Sequence, residues 1–129
     1  MARTRKKKRK TTLGLREKVA IRAHGGKKKW RMFSAKLDTG AGWSRIGAGK
    51  AAKLGLGPIL DVKPIGTSDG GAQRRLIVPA SLRIAGYQLA ARFTVSMGKP
   101  GVLIGRRTIG SRFVIDPKKS YLARPPSLK

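Results

Sequence analysis

No apolar pattern in this chain runs far before a turn former stops it, and that interruption limits the folds open to it. Glycine and proline supply 17 and 7 of the 129 residues, and they fall between short stretches in which apolar and polar residues tend to alternate. L-G-L-R-E-K-V-A-I-R-A (Leu13 to Ala23) and W-R-M-F-S-A-K-L (Trp30 to Leu37) flank H-G-G-K-K-K (His24 to Lys29), a turn in which Gly25 and Gly26 supply positive φ. Alternation of this kind puts successive side chains on opposite faces of an extended strand. Val62 to Thr67, Arg74 to Ala85, Gln88 to Ser96 and Gly101 to Gly105 continue the series, with a turn at Gly86-Tyr87. R-F-V-I-D and S-Y-L-A close it. A single helical turn is expected over Lys50 to Leu54, ended by Gly55. Six or seven short strands punctuated in this way predict an all-β barrel or sandwich. The length suits one domain with one modest core.

Composition narrows the chemistry. With no cysteine there is neither a disulfide framework nor a thiolate metal site. No apolar run approaches 18 residues, and the N-terminus lacks the apolar centre of a signal peptide, so the cytoplasm is the expected location and no membrane contact is expected. Thirty-one basic residues face five acidic ones. Seven of the basic residues fall in M-A-R-T-R-K-K-K-R-K-T-T, read as a disordered arm over residues 1–12. Residues 13–124 then form the domain and 125–129 a short tail. The chain beyond the arm keeps 24 basic residues against the five acids, so the arm alone does not account for the charge. Such a field draws polyanions, either nucleic acid or a peptide rich in Glu and Asp.

Against that background, F-S-A-K-L-D-T-G-A places one of the few carboxylates, Asp38, at the end of an alternating run. Gly40 allows a sharp turn that brings amide N–H groups to the acid. Thr39 offers a hydroxyl to fix its plane, and small Ala41 leaves space above it. Farther on, V-L-I-G-R-R (Val102 to Arg107) is an apolar strand ending in Gly-Arg.

A D-T-G-A turn, a glycine-containing hairpin and an apolar strand ending I-G-R, in that order, resemble the retropepsins, the aspartic proteases of retroviral type. L-G-L-R-E-K-V, A-K-L-D-T-G-A with Ser44 beyond it, and V-L-I-G-R-R-T-I-G-S-R-F-V-I-D-P-K-K-S-Y-L look more narrowly like the bacterial retropepsin-like family labelled "ATP-dependent zinc protease". That family includes RimB-type hydrolases of α-linked glutamate tails. The likeness runs from about Leu13 to Leu122. It implies a closed barrel with one short helix and a flap hairpin whose tip is G-T-S-D-G-G (Gly66 to Gly71). It also implies a catalytic Asp38-Thr39-Gly40 turn. One D-T-G supplies one carboxylate where the chemistry needs two, so a homodimer with two copies of Asp38 face to face is expected.

The remaining expectations concern what surrounds the acid. Arg74, Arg75 and Arg106 flank the flap and the I-G-R strand, and Arg45 and Lys50 follow the catalytic turn. These are candidates to clamp carboxylates of an acidic, polyglutamate-like peptide, since guanidinium binds carboxylate bidentately. Ala41, Asp69 and Gly70 are further candidates for substrate contact. Glu17 is expected to be buried and structural, paired with Arg106 or Arg107, and Asp116 to be a turn acceptor or an Arg partner. The zinc of the family label has no counterpart here: His24 is the single histidine, and no H-E-x-x-H occurs. G-A-G-K around Lys50 lacks the spacing of a phosphate loop, so neither ATP nor another cofactor is expected. The competing class is a non-catalytic basic barrel that holds RNA, ribosome-bound through the arm, or that only binds acidic peptides. Trp30 and Trp43 are few and not interleaved with basic residues as a base-stacking platform would be.

Overall fold

A computed structural model describes residues 10–67 and 69–129. Residues 1–9 of the expected basic arm lie outside the described residues. Nine strands and two short helices follow in the order β1 (Thr11–Gly14), β2 (Arg16–Ala23), β3 (Arg31–Leu37), β4 (Ser44–Gly47), α1 (Ala48–Leu54), β5 (Asp61–Gly66), β6 (Ala72–Ile84), β7 (Tyr87–Ser96), β8 (Val102–Ile104), α2 (Arg106–Ile109) and β9 (Phe113–Asp116).

The sheet runs β2-β3-β8-β4-β7-β6, and pairing of β2 with β6 closes it into a six-stranded barrel. Closure removes the exposed edges that an open sheet of this size would carry. The interior is aliphatic, with Val19, Ile21, Leu37, Ile46, Leu82, Ile84, Phe93 and Ile104 all essentially inaccessible. Burial of each such side chain contributes about 1.5–3 kcal/mol, so these eight residues carry much of the drive to fold. A separate parallel pair, β1 with β9, brings the two ends of the domain together.

Strand β6 has two lives. Its second half alternates buried Val78, Ala80, Leu82 and Ile84 with less buried neighbours and pairs with β7. Its first half leaves the barrel and pairs with β5, from Gly66 opposite Ala72 to Asp61 opposite Ile77, and of these residues Ile77 also pairs with Thr94 of β7. Hairpin β5–β6 therefore stands off the barrel as the expected flap. The β6–β7 turn falls on Ala85-Gly86, both at positive φ (50° and 83°), one residue before its expected place.

The expected run Leu13 to Ala23 is two strands, and β1 takes Thr11 and Thr12 from the expected disordered arm. Four further details depart from expectation. Helix α1 starts at Ala48 rather than Lys50, still ending at left-handed Gly55, whose N–H reaches Ala51 and Ala52 carbonyls. Strand β4 is new: S-R-I-G has Ser44, Ile46 and Gly47 all buried, so it shows no alternation to read. The S-Y-L-A segment is not a strand; its Tyr121 sits at φ 56°.

Glu17 is the fourth. It is buried as expected, but neither Arg106 nor Arg107 is its partner. Its carboxylate accepts three backbone amides instead, from Gly14 (2.7 Å), Leu122 (3.0 Å) and Ala123 (3.1 Å). Arg106 is drawn elsewhere, donating to the Thr39 carbonyl at 2.9 Å. Asp116, in contrast, acts as the expected turn acceptor, taking the Lys118 amide at 3.0 Å.

Candidate active site

The end of β3 delivers Asp38 to the mouth of the barrel. Its backbone N–H donates to the Ile104 carbonyl at 2.9 Å, tying the acid to the last residue of β8. The chain then turns, and the Gly40 amide donates to Asp38 Oδ1 at 2.9 Å. Thr39 contributes through its carbonyl, which Arg106 grips, and its hydroxyl makes no hydrogen bond to Asp38 among the described residues.

The turn is braced from below by the strand end 102–105. Arg106 N donates to the Ala41 carbonyl at 2.8 Å and Arg107 N to the Gly42 carbonyl at 3.2 Å. Ser44 Oγ accepts the Gly105 amide at 3.1 Å and shares a 2.7 Å hydrogen bond with the Thr108 hydroxyl. Gly105 is required by this closeness: a Cβ there would lie 2.5 Å from the Trp43 carbonyl oxygen and 2.9 Å from that of Ala41. The D-T-G-A turn and the I-G-R turn are thus one unit, held by backbone contacts that leave no room for a side chain.

Above this floor lies a cleft of about 1010 Å³, roofed by the flap. Asp38, Gly40, Ala41 and Arg45 line it from below, and Asp69, Gln73 and Arg75 from the flap. Of the residues singled out in the sequence, Lys50, Gly70, Arg74, Thr39 and Arg106 do not line it. Lys50 is turned to the Pro100 carbonyl at 2.7 Å. Gly70 serves the tip turn, at φ 85°, and Arg74 is exposed on the flap strand. Trp43, Thr94, Ser96, Lys99 and Leu103 are among the other lining residues, none of them singled out for it in the sequence.

Electrostatics in the cleft are lopsided. Burial, and then the nearby Arg75 charge, hold the Arg45 guanidinium below its ordinary value, while Asp38 acts the other way. Asp69 lies at the flap tip with its Oδ1 committed to the Thr67 hydroxyl and to the Gly71 amide at 3.0 Å. Those two bonds hold its carboxyl below the ordinary carboxylate range. Trp43 carries the Arg107 guanidinium 4.2 Å over its ring, with Lys63 Nζ at 5.8 Å. The Trp30 ring is contacted by the guanidinium groups of Arg22 (4.5 Å from its centre) and Arg83 (4.1 Å). Both tryptophans therefore have cations close to their rings.

Among the described residues no group of three or more His, Cys, Asp or Glu side chains comes together. The donor set does not fit a zinc site. No helix is long and apolar enough to cross a membrane.

Comparison with solved structures decides the architecture. The chain is similar to EIAV protease in complex with an inhibitor, with a TM-score of 0.59, 22% identity, and coverage of 71% of this chain and 81% of that one. The fold is that of the retropepsin-like proteases. A Legionella pneumophila protein of unknown function (DUF785) is also similar, at a TM-score of 0.57 and 15% identity over 88% of this chain and 98% of that one. So is the foamy viral protease-reverse transcriptase bound to an RNA/DNA hybrid, at 0.53 and 15%, over 72% of this chain and 11% of that one. No family model matches the sequence, and no curated protein does. At such identities the likeness is one of fold.

Proposed function

We propose that the protein is an aspartic peptidase that cleaves acidic, polyglutamate-like peptides with a dyad of two Asp38 carboxylates, one from each subunit of a homodimer. The observation that carries this reading is Asp38 itself, held by the Gly40 amide at the floor of a flap-covered cleft. The other four acids are engaged. Glu17 is buried on three amides, Asp61 takes the Val62 amide and faces Lys63, Asp69 closes the flap tip and Asp116 closes its own turn. A second catalytic carboxylate then has to come from a second copy of the chain.

Two such carboxylates in contact hold one proton between them, since both cannot ionise readily side by side. The ionised acid takes a proton from the shared water as its oxygen bonds to the scissile carbonyl carbon. The protonated acid gives its proton to the carbonyl oxygen. Collapse of the resulting diol breaks the C–N bond, the amine leaving with the proton from one acid while a diol hydroxyl gives its proton to the other, which restores the shared proton. Flap closure excludes bulk water during these steps.

The excess of basic residues supports an acidic substrate, because the field recruits a polyanion and penalises a cationic peptide. The test is cleavage of matched Glu, Gln and Lys peptides, including oligo-glutamate, with products read by mass. Glu is expected to be preferred at low salt, with the preference shrinking as the Debye length falls to about 8 Å at physiological ionic strength. Equal cleavage of Glu and Gln peptides would refute the acidic preference.

A second reading, a basic barrel that binds RNA without turnover, draws on one observation: the sole ion pair among the described residues joins Lys63 to Asp61 at 3.9 Å, leaving most cations to outside partners. Against it, the Trp30 ring is already engaged by two guanidinium groups of the chain itself. Binding of RNA with no hydrolysis of any peptide would favour that reading.

A further inference from the structure

Two guanidinium groups line the cleft from its two sides. Arg45 comes from the floor, on β4 opposite Leu103 of β8. Arg75 comes from the roof, on the flap strand opposite Lys63. Both line the same cleft as Asp38. Arg45 is half-buried, and its Nε is shut off from solvent with no hydrogen-bond partner. Arg75 directs Nε and Nη2 to Gln73 Oε1 at 3.3 and 3.2 Å, a neutral amide that aims the group without cancelling its charge. Neither forms an ion pair with an acid among the described residues. Burial first, and then the Arg75 charge, weaken the charged form of Arg45, while Asp38 favours it.

Partly desolvated like charges cost free energy, and one anion held by both guanidinium groups relieves that cost. We propose that a single Glu or Asp side chain of the substrate binds between Arg45 and Arg75, and that its arrival draws the flap down onto the floor. That the ligand is a peptide rests on the peptidase reading above. A carboxylate has two oxygens, one to face each guanidinium fork, and charge-assisted bonds of this kind are the strong ones. Without the anion, roof and floor repel each other. With it, they attract. Selectivity is thereby built into closure: an acidic peptide improves KM, and kcat as well, because closing completes the site over Asp38. The subsite lies near the scissile bond, since Asp38 itself acts on Arg45.

The experiment walks one Glu through an otherwise Gln-based peptide and measures kcat and KM at each position. One position is expected to stand out by roughly tenfold to a hundredfold in kcat/KM, the span of one charge-assisted contact. Arg45→Gln and Arg75→Gln should each lower cleavage of that peptide more than of the all-Gln peptide. The double variant should add little to either, because the two share one anion. A Glu preference that survives both single variants, or no favoured position, overturns the subsite.

If the wild type cleaves nothing, the peptidase reading fails by itself, and binding decides the subsite. The Asp38→Asn chain is mixed with an acidic peptide, and Trp43 fluorescence and amide exchange over residues 72–77 are followed. Protection of the flap by the Glu peptide and not by its Gln counterpart, lost in Arg45→Gln, sustains the proposal. Equal protection by both peptides, or tighter binding when phosphoserine replaces Glu, overturns it.

Discussion

Asp38 and Glu17 are both carboxylates held by backbone amides, and the difference between them separates reactivity from structure. Glu17 is fully buried and accepts three N–H groups, from Gly14, Leu122 and Ala123. Its lone pairs are largely consumed in stitching β1 and the segment after β9 to the barrel. Asp38 is half-buried and accepts one amide, from Gly40. It keeps an oxygen for water and a cleft in which to use it. A carboxylate saturated by backbone donors is an anchor. One that is positioned but left unsaturated is available for proton transfer.

The same isosteric change at both sites tests this contrast. Asp38→Asn should lower hydrolysis by roughly a thousandfold or more, since a general acid–base group is lost. Its melting temperature should stay close to wild type because an Asn oxygen can still take the Gly40 amide. Glu17→Gln should do the reverse. Its new NH2 faces backbone donors, so unfolding in urea should show a loss of about 1–3 kcal/mol with the intrinsic activity of the remaining folded protein preserved. A large fall in stability for Asp38→Asn, or none for Glu17→Gln, would break the comparison.

Gly105→Ala sharpens it from beneath. The added Cβ meets backbone carbonyls of Trp43 and Ala41, which cannot step aside as side chains do. A loss of about 1–3 kcal/mol is expected, with activity falling further than stability accounts for, because the displaced turn carries Asp38. Wild-type activity in a stable Gly105→Ala protein would show that the brace does not position the acid.

Asp69 gives the smallest effect. Its carboxyl, held below the ordinary value of 3.8 by Thr67 and Gly71, supports the flap tip fully above that value. The support is lost as pH falls through the lowered folded value. Amide exchange at Gly71 should therefore quicken, beyond the intrinsic pH trend, only in that acid range, and Asp69→Asn should quicken it at pH 7 with little change in melting temperature. Unaltered exchange at pH 7 in that variant would deny Asp69 its role in the turn.

What could be read in the sequence was local. Asp38-Thr39-Gly40-Ala41 and Gly105-Arg106 stand out because tight turns and close approaches admit few residue types, and the β-hairpins because alternation and glycine turns sit side by side. β4 escaped notice because its interior burial leaves no alternation. The partners of Glu17 escaped because two of them are amides more than a hundred residues away, and any non-proline residue has such an amide. Arg106 was read as a substrate clamp from its place beside the motif. Its side chain instead braces Thr39, a contact set by how the two turns pack. Lys99 and Gln73 joined the cleft for the same reason: loop and flap curvature brought them there, and neither is marked by its neighbours in the chain.

Mixing subunits tests most directly whether one dyad is shared by two chains. Wild-type protein is held at constant concentration while tagged Asp38→Asn subunits are added in excess, with exchange verified by pulling down mixed dimers, and hydrolysis of an acidic peptide is followed. Activity should fall as wild-type chains are drawn into mixed dimers that carry one ionisable acid, and sedimentation should show a dimer throughout. Activity that stays constant as mixed dimers accumulate, or a fully active monomer at assay concentration, would contradict a dyad built from two copies of Asp38.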